Sequence, residues 1–319
     1  MPPQDRTHDP TQPFDPTQPF SFAEAMKAGI SRRTLQSGRY RRLLLNVYVA
    51  STVTVDGVLE ARAALRAAQK GAFVSHHTAA RLLGGIVPDH HLAHVSVPRG
   101  RARRRREDMV THLSSRTPVT FRGIPTTSAL DTFLDLACYL NLVDLVVLGD
   151  RLVKKKRCTP EQLVEATEGA SGRGVRLARR AARLVRSGVD SPMESRARML
   201  RVLSGLPELE TDIRIYGPDA QLLRRLDAGC RRTRTAIEYD GRQHVDRQQS
   251  WEDDLVRREE FEDDEWRIMT LVSKDIYTSP GRTVERMAKV LRARGVRIGR
   301  RSEEWRRYFP DRPSRSRTA

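Results

Sequence analysis

Only three cysteines occur in the chain, Cys138, Cys158 and Cys230, odd in number and far apart. That argues against a disulfide framework and a cysteine-based zinc site, and makes a reducing cytoplasm the expected setting. No run approaches the roughly 18 apolar residues of a membrane-spanning helix, and the basic residues are not laid along one amphipathic anchor. The first residues, MPPQDRTHDP, show no basic stretch followed by an apolar one, so no secretory signal is expected. A P-loop, a G-x-G-x-x-G turn and a G-x-S-x-G elbow are also missing, which leaves NTP-driven, dinucleotide and serine-hydrolase chemistry without support. Acidic charge is in deficit: 40 Asp and Glu face 58 Lys and Arg, a net charge of +18. Such an excess calls for a polyanion, nucleic acid before a membrane surface.

A length of 319 residues suits two or three domains. DPTQPF occurs twice in tandem, at 9–14 and 15–20, and this proline-rich stretch has little apolar surface to bury, so a disordered tail is expected over 1–21. FAEAMKAG then reads as a short helix stopped by Gly29, SRRTLQSG as a second with Ser31 as N-cap, and RYRRLLLNVYVA as strand. Helix, tight turn, helix and strands is the order of a winged helix-turn-helix, although a helical pair packed on a hairpin would read the same. Beyond it, VLEARAALRAAQ and HHTAARLLGG are expected as helices and LAHVSVP and MVTHLSS as strands. GIPTT is read as a turn before the helix TSALDTFLDLACYL. The run RARRRR at 101–106 is a solvated loop or a strip that tracks a phosphate backbone. Residues 151–187 hold eleven Lys and Arg against three Glu. They form either a surface for nucleic acid or a helix with one apolar stripe and a solvated arginine face. Charge reverses over 238–265, with twelve acidic side chains and four arginines, as suits a cation site beside a polyanion channel.

From Ser191 the pattern is helix, three strands, helix, strand, helix. Phosphodiester hydrolysis needs a cation that holds a phosphate oxygen and an activated water together, and carboxylate oxygens suit Mg²⁺ or Mn²⁺. Asp227 ends one apolar strand, and Glu238 lies eleven residues later in the next, TAIEYDG. An acid in such a strand is costly unless paired or bound to a cation. Asp240 shares the face of Glu238 but also forms a D-G turn pair. Glu194 completes an S-x-x-E capping box from Ser191, with Pro192 at the first helical position. A cap turns its carboxylate back to the Ser191 backbone; a metal ligand turns it toward the sheet. Asp227 reads alternatively as a strand-end turn residue, Glu238 as the partner of an arginine, and Asp254 with Arg257 as a helix surface pair. The histidines His76, His77, His90, His91 and His94 have no accompanying cysteine, and SHHTAARLLGG makes sense as a helix start, so no zinc site is assigned to them.

Asp227, EYDG, His244, Asp254, Arg257 and Trp266 together resemble a bacterial domain family related to the very-short-patch-repair (Vsr) endonucleases. The resemblance covers about 190–294 and implies the PD-(D/E)XK fold, a mixed sheet flanked by helices with acidic metal ligands at its centre. It implies Asp227 and Glu238 as metal ligands, Glu194 as the acid of the first helix, and His244 as general base or phosphate contact. FAEAMKAGISRRTLQSGRYRRLLLNVYVA resembles the winged-helix start of AbiEi-type antitoxins, and GIPTTSALDTFLDLA their middle region. That likeness implies duplex DNA read by the second helix at Arg32, Arg33 and Thr34, with Arg41 and Arg42 on the wing. Two departures stand out. The name-giving lysine is absent, since Glu238 is followed by Tyr239 and Asp240 and no lysine comes before Lys274. Its charge would come from Arg257 or be replaced by His244. Glu265 also stands where a glycine usually precedes the tryptophan.

The expected fold is therefore α/β, of the α+β kind. It comprises a winged helix at 22–54, a mixed α/β middle region at 55–187, a nuclease-like domain at 188–298 and a basic tail at 299–319. The expected function is a DNA-binding protein with an Mg²⁺-dependent endonuclease domain. The alternatives are a regulator or antitoxin whose nuclease fold only binds, and an RNA-binding or RNA-processing protein. The oligomeric state is not fixed by the sequence, and a homo-oligomer is left open.

Overall fold

Local capping decides where the first helices begin. Ser21 accepts a hydrogen bond from the Glu24 amide while Glu24 Oε2 accepts from the Ser21 amide at 2.8 Å, a reciprocal capping box. Gly29, with φ +75°, then turns the chain as only a glycine does without strain. The structure is a computed structural model that describes residues 14–100, 105–217, 219–241 and 266–310. It is an α+β fold with eleven α-helices and three sheets among the described residues. The chain divides into two compact units, 1–136 and 137–319, with the boundary inside the stretch expected to be one middle region.

The N-terminal unit opens with β1 (Phe20–Ser21), α1 (Phe22–Lys27), α2 (Arg32–Leu35), β2 (Tyr40–Leu44) and β3 (Val47–Ala50), the strands forming an antiparallel sheet in the order β1-β3-β2. Phe20, Ala25 and Leu35 are buried together beneath it. The tail expected over 1–21 is thus too long: Phe20 and Ser21 pair with β3, and the Phe14 and Phe20 rings meet edge to face at 4.9 Å. Phe14, the last residue of the first DPTQPF copy, and Phe20, the last of the second, supply the apolar rings that anchor it. There follow α3 (Gly57–Ala67), β4 (Phe73–Val74), α4 (His76–Leu82), β5 (Ala93–Pro98), β6 (Met109–Ser114), β7 (Val119–Phe121), β8 (Ile124–Thr126) and α5 (Ala129–Leu136). The mixed sheet runs β6-β5-β4-β8-β7, with β5 parallel to β6 and β4 parallel to β8. GIPTT, expected as a turn, supplies strand β8, because Ile124 and Thr126 are buried and pair with β7 and β4. Of the run RARRRR, residues 101–104 lie outside the described residues. Arg106 is held by Asp108 at 2.9 Å and by the Leu45 carbonyl at 2.8 Å.

The C-terminal unit begins with α6 (Leu142–Lys154), α7 (Pro160–Glu168), α8 (Val175–Ala182) and α9 (Pro192–Leu203). Strands β9 (Glu210–Tyr216), β10 (Leu222–Cys230), β11 (Thr235–Tyr239) and β12 (Arg267–Leu271) then lead to α10 (Ser273–Tyr277) and α11 (Pro280–Ala293). Its sheet has the order β12-β11-β10-β9, antiparallel except for the parallel pair β11–β12. Helix α8 buries Ala178, Ala181 and Ala182, as one apolar stripe requires. Its arginines are not simply solvated, however. Arg179 donates to the Thr167, Glu168 and Ala170 carbonyls, which are open acceptors at the end of α7, while Arg180 pairs with Glu304 and Arg186 with Glu208. The tail expected over 299–319 is partly core. Trp305 and Phe309 are buried, Arg306 stacks over the Trp305 ring at 4.3 Å, and Ser302 donates to the Ser204 carbonyl at 3.0 Å.

One buried ion pair ties this unit together. Asp150 on α6 and Arg198 on α9 are each 2% exposed and meet at 2.7 Å. Asp150 also accepts from Ser195 Oγ at 2.7 Å and from the Arg186 amide at 2.8 Å. Burial raises the Asp150 carboxyl pKa above its ordinary range, and the Arg198 charge and these donors oppose the rise. Asp150→Ala is expected to destabilise the protein by about 3–5 kcal/mol in denaturant unfolding, because it strands a buried guanidinium. Asp150→Leu combined with Arg198→Met should recover most of the loss.

Candidate functional site

Helix α9 begins at its N-cap Ser191, whose Oγ accepts from the Glu194 amide at 3.1 Å, with Pro192 in the first turn where its missing N–H costs nothing. The Glu194 carboxylate accepts from the Asp190 amide at 2.8 Å. It therefore caps the chain one residue before the position a capping box would use. The same carboxylate faces the sheet. It lines a pocket with Asp227, Arg201, Thr211, Ile237 and Tyr239, about 20 Å³ in volume, room for one water or one ion. Glu194 thus caps the chain at the start of α9 and also lines this pocket, the place a ligand reading would need.

Asp227 stands where the β10–β11 ladder gives way. Backbone pairing runs Cys230↔Thr235, Gly229↔Ala236 and Ala228↔Ile237, and beyond it Asp227 Oδ2 accepts the Tyr239 amide at 2.8 Å. The close approach needs Gly229, since a Cβ there would lie 2.7 Å from the Thr235 carbonyl oxygen. Burial raises the Asp227 carboxyl pKa, with the Glu238 charge adding to it and the Tyr239 amide opposing. Burial likewise raises Glu194, and the nearby Asp227 charge contributes. Two carboxyls pushed up by desolvation and by neighbouring negative charge form a donor set that a hard divalent cation would relieve.

Glu238 is not part of that lining. Its charge reaches Asp227, yet its carboxylate pairs with Arg224 on β10 at 3.0 Å. Of the three acids expected at the centre, Asp227 and Glu194 line the pocket and Glu238 does not. Asp240 extends the β11–β12 pairing, its amide donating to the Leu271 carbonyl at 2.8 Å. His244, Asp254 and Arg257 lie outside the described residues.

Arg201 is the residue that sequence reasoning missed. It is 1% exposed and lines the acidic pocket. Nε donates to the Pro207 carbonyl at 3.2 Å, and no acceptor among the described residues meets Nη2. Burial, with Arg198 next to it, lowers its pKa to about 9. The available signal was spacing: Glu194, Arg198 and Arg201 fall at i, i+4 and i+7, one face of α9. In the N-terminal unit Arg32 and Arg33 on α2 are exposed, as are Arg41 and Arg42 on β2. Arg41 donates to the Ser51 carbonyl at 3.2 Å, and Thr34 shares a 2.8 Å hydroxyl bond with Ser31.

Of the histidines that earned no metal assignment in the sequence, His76, His77, His90 and His94 are brought together, with His112 added to them, while His91 is exposed. Burial first, and then neighbouring imidazoles, with Arg116 acting on His76 and Arg81 on His77, lower the pKa of His76 and of His94 to about 2 and that of His77 to about 4.

No known protein-family profile matches the chain. It is similar to two uncharacterized proteins from two strains of Mycobacterium tuberculosis, Rv2248 and MT2308. Each is 26% identical over 161 residues, which is 50% of this chain and 59% of the relative. The chain thus spans less than two thirds of the length of these curated relatives. The crystal structure of the RV2827C protein from the same species is a loose likeness. Identity is 13% and the TM-score 0.35, over 64% of this chain and 85% of that one. Among the described residues no helix is long and apolar enough to cross a membrane.

Proposed function

We propose that the C-terminal unit is a metal-dependent nuclease and that the N-terminal unit holds the chain on nucleic acid, duplex DNA first. The observation that supports this reading is the meeting of Glu194 and Asp227 in one small pocket beside the buried cation Arg201. Glu194 and Asp227 would hold Mg²⁺ or Mn²⁺. A bound ion of that kind supplies an activated water and charge neutralisation at a phosphate. The protein's own groups prepare the place for it. The Tyr239 amide fixes one Asp227 oxygen, and the Asp190 amide one Glu194 oxygen. The Arg201 guanidinium offers a preorganised N–H for a phosphate oxygen as charge develops, the task that the absent lysine would have had. Glu238 joins the centre when Arg224 exchanges its carboxylate for a phosphate. The charge of +18 supplies the long-range attraction to the substrate, and three free cysteines fit a reducing, cytoplasmic setting.

A second reading keeps the fold as a non-catalytic binding module of a regulator or antitoxin-like protein. The missing lysine and the Glu238–Arg224 ion pair favour it. The two separate in a cleavage assay on supercoiled plasmid, single-stranded DNA and RNA, with Mg²⁺ or Mn²⁺ and then EDTA. Metal-dependent cleavage is expected, lowered at least about 100-fold in Asp227→Ala and Glu194→Ala, as when a group acting on the transition state is lost. Arg201→Met should lower cleavage and leave binding intact. Cleavage equal in wild type and both acid variants would remove the assigned centre, and no cleavage of any substrate would leave the binding module.

For the N-terminal unit, Arg32→Ala with Arg33→Ala is expected to weaken duplex binding and to reduce the slope of log affinity against log salt by about one to two phosphate contacts. An unchanged slope would move the contact surface away from α2.

A further inference from the structure

Five histidines meet in the N-terminal unit, from three elements and a loop. His76 and His77 open α4, His90 precedes β5, His94 lies on β5 and His112 on β6. In the parallel β5–β6 ladder His94 pairs with Val110 and Ser96 with His112, so the two imidazoles stand on one face, one step apart. His94 Nδ1 lies 3.0 Å from His112 Nε2, and His94 Nε2 lies 3.1 Å from His90 Nδ1. The His76 ring stacks on that of His112 with centroids 3.7 Å apart. One ring nitrogen from each of His76, His94 and His112 falls within 4.8 Å of the other two.

We propose that His76, His94 and His112 bind one divalent cation of the zinc class. The donors are all imidazole nitrogens, a set that suits Zn²⁺ and its late first-row neighbours and does not suit Mg²⁺ or Ca²⁺. Each of the three rings can offer a nitrogen in an accessible tautomer. In the tautomer of His76 whose Nδ1 donates to Ser75 Oγ, 3.0 Å away, Nε2 carries the lone pair a metal takes. In the tautomer of His94 whose Nε2 donates to His90 Nδ1, Nδ1 carries it, on the side of His112. The positive charges nearest the cluster are answered: Arg116 is paired with Asp131 and Asp135, and Arg81 with Glu60 and the His90 carbonyl. His77, His90 and His94 form a second triad on the other side of His94. The two triads are equally buried, and the first is preferred because His90 then has a defined orienting task, 3.1 Å from His94 Nε2.

The competing arrangement is a relay of neutral imidazoles, His112 to His94 to His90. It accounts for those three residues. It gives no reason for His76 to hold φ +50°, in the left-handed region. A metal gives one, by pinning the first turn of α4 to β5 and β6; ligation turns the His76 ring out of its stack on His112, since an ion lies in the plane of each imidazole that holds it. With three protein ligands, a fourth position is open to water or a small anion.

The test uses the full chain without a polyhistidine tag, stripped with chelator and titrated with Zn²⁺ or Co²⁺. The expected result is one Zn²⁺ per chain, a visible Co²⁺ absorption band of tetrahedral intensity and a rise in melting temperature on Zn²⁺ addition. His112→Gln should bind at least about 100-fold more weakly with an unchanged far-UV circular dichroism spectrum. Exposed His91→Gln and pocket Asp227→Ala should bind as wild type, which separates this site from the acidic one. Should His112→Gln fail to fold, zinc-edge X-ray absorption of the wild type decides. An imidazole-nitrogen shell supports the site, and an oxygen shell overturns it. Failure of wild type to retain Zn²⁺ and to give the Co²⁺ band, or equal affinity in folded His112→Gln, also overturns it.

Discussion

The Asp150–Arg198 pair at the centre of the C-terminal unit sets the position of nearly everything the candidate site uses. A carboxylate and a guanidinium, each removed from water, are tolerable only because Asp150 also takes the Ser195 hydroxyl and the Arg186 amide. Those donors come from α9 and from the turn after α8, so the acid fixes the rotation of α9 about its axis as well as its distance from α6. Rotation is what matters, because Glu194 lies one helical turn before Arg198 and Arg201 nearly one turn after it. With Arg198 locked inward, Glu194 and Arg201 have little freedom to face anywhere but the sheet.

On the sheet side the pocket is a balance of like and unlike charge at short range. Asp227 breaks the regular ladder to hold a main-chain amide, Glu194 holds another, and each acid is raised by burial and by the charge of a neighbouring acid. Arg201 lies in the same lining and has no acceptor for Nη2 among the described residues. Such a group is costly in a static protein and useful where charge must be met during a reaction. The Arg224–Glu238 pair, with side chains 25% and 20% exposed, is close enough to water to open.

Elements whose information is local were legible in the sequence. Ser31 caps α2, and Ser191 with Pro192 in the first turn opens α9, as their residue types and spacing imply. The strands around TDIRIY, LLRRLDAG, TAIEY and RIMTL lie where β-branched and apolar residues place them. What escaped was set by tertiary contact. GIPTT carries turn residues, yet three of its side chains, Ile124, Thr126 and Thr127, are buried. Trp305 and Phe309 stand in a stretch so rich in arginine that composition hid their packing. His112 is one polar residue in a strand, eighteen positions from His94, and the parallel β5–β6 register alone makes them neighbours. Arg201 was hidden among 58 basic residues, nearly all of them expected at the surface.

Crystals grown with Mn²⁺ and measured near the manganese edge test the central claim most directly, since anomalous scattering locates the ion without reference to activity. A peak within bonding distance of carboxylate oxygens of both Glu194 and Asp227 is predicted, at the roughly 2.1–2.2 Å expected for hard divalent ions. A peak elsewhere, or none at saturating Mn²⁺ with both side chains well ordered, would contradict the assignment of that pocket as the metal centre.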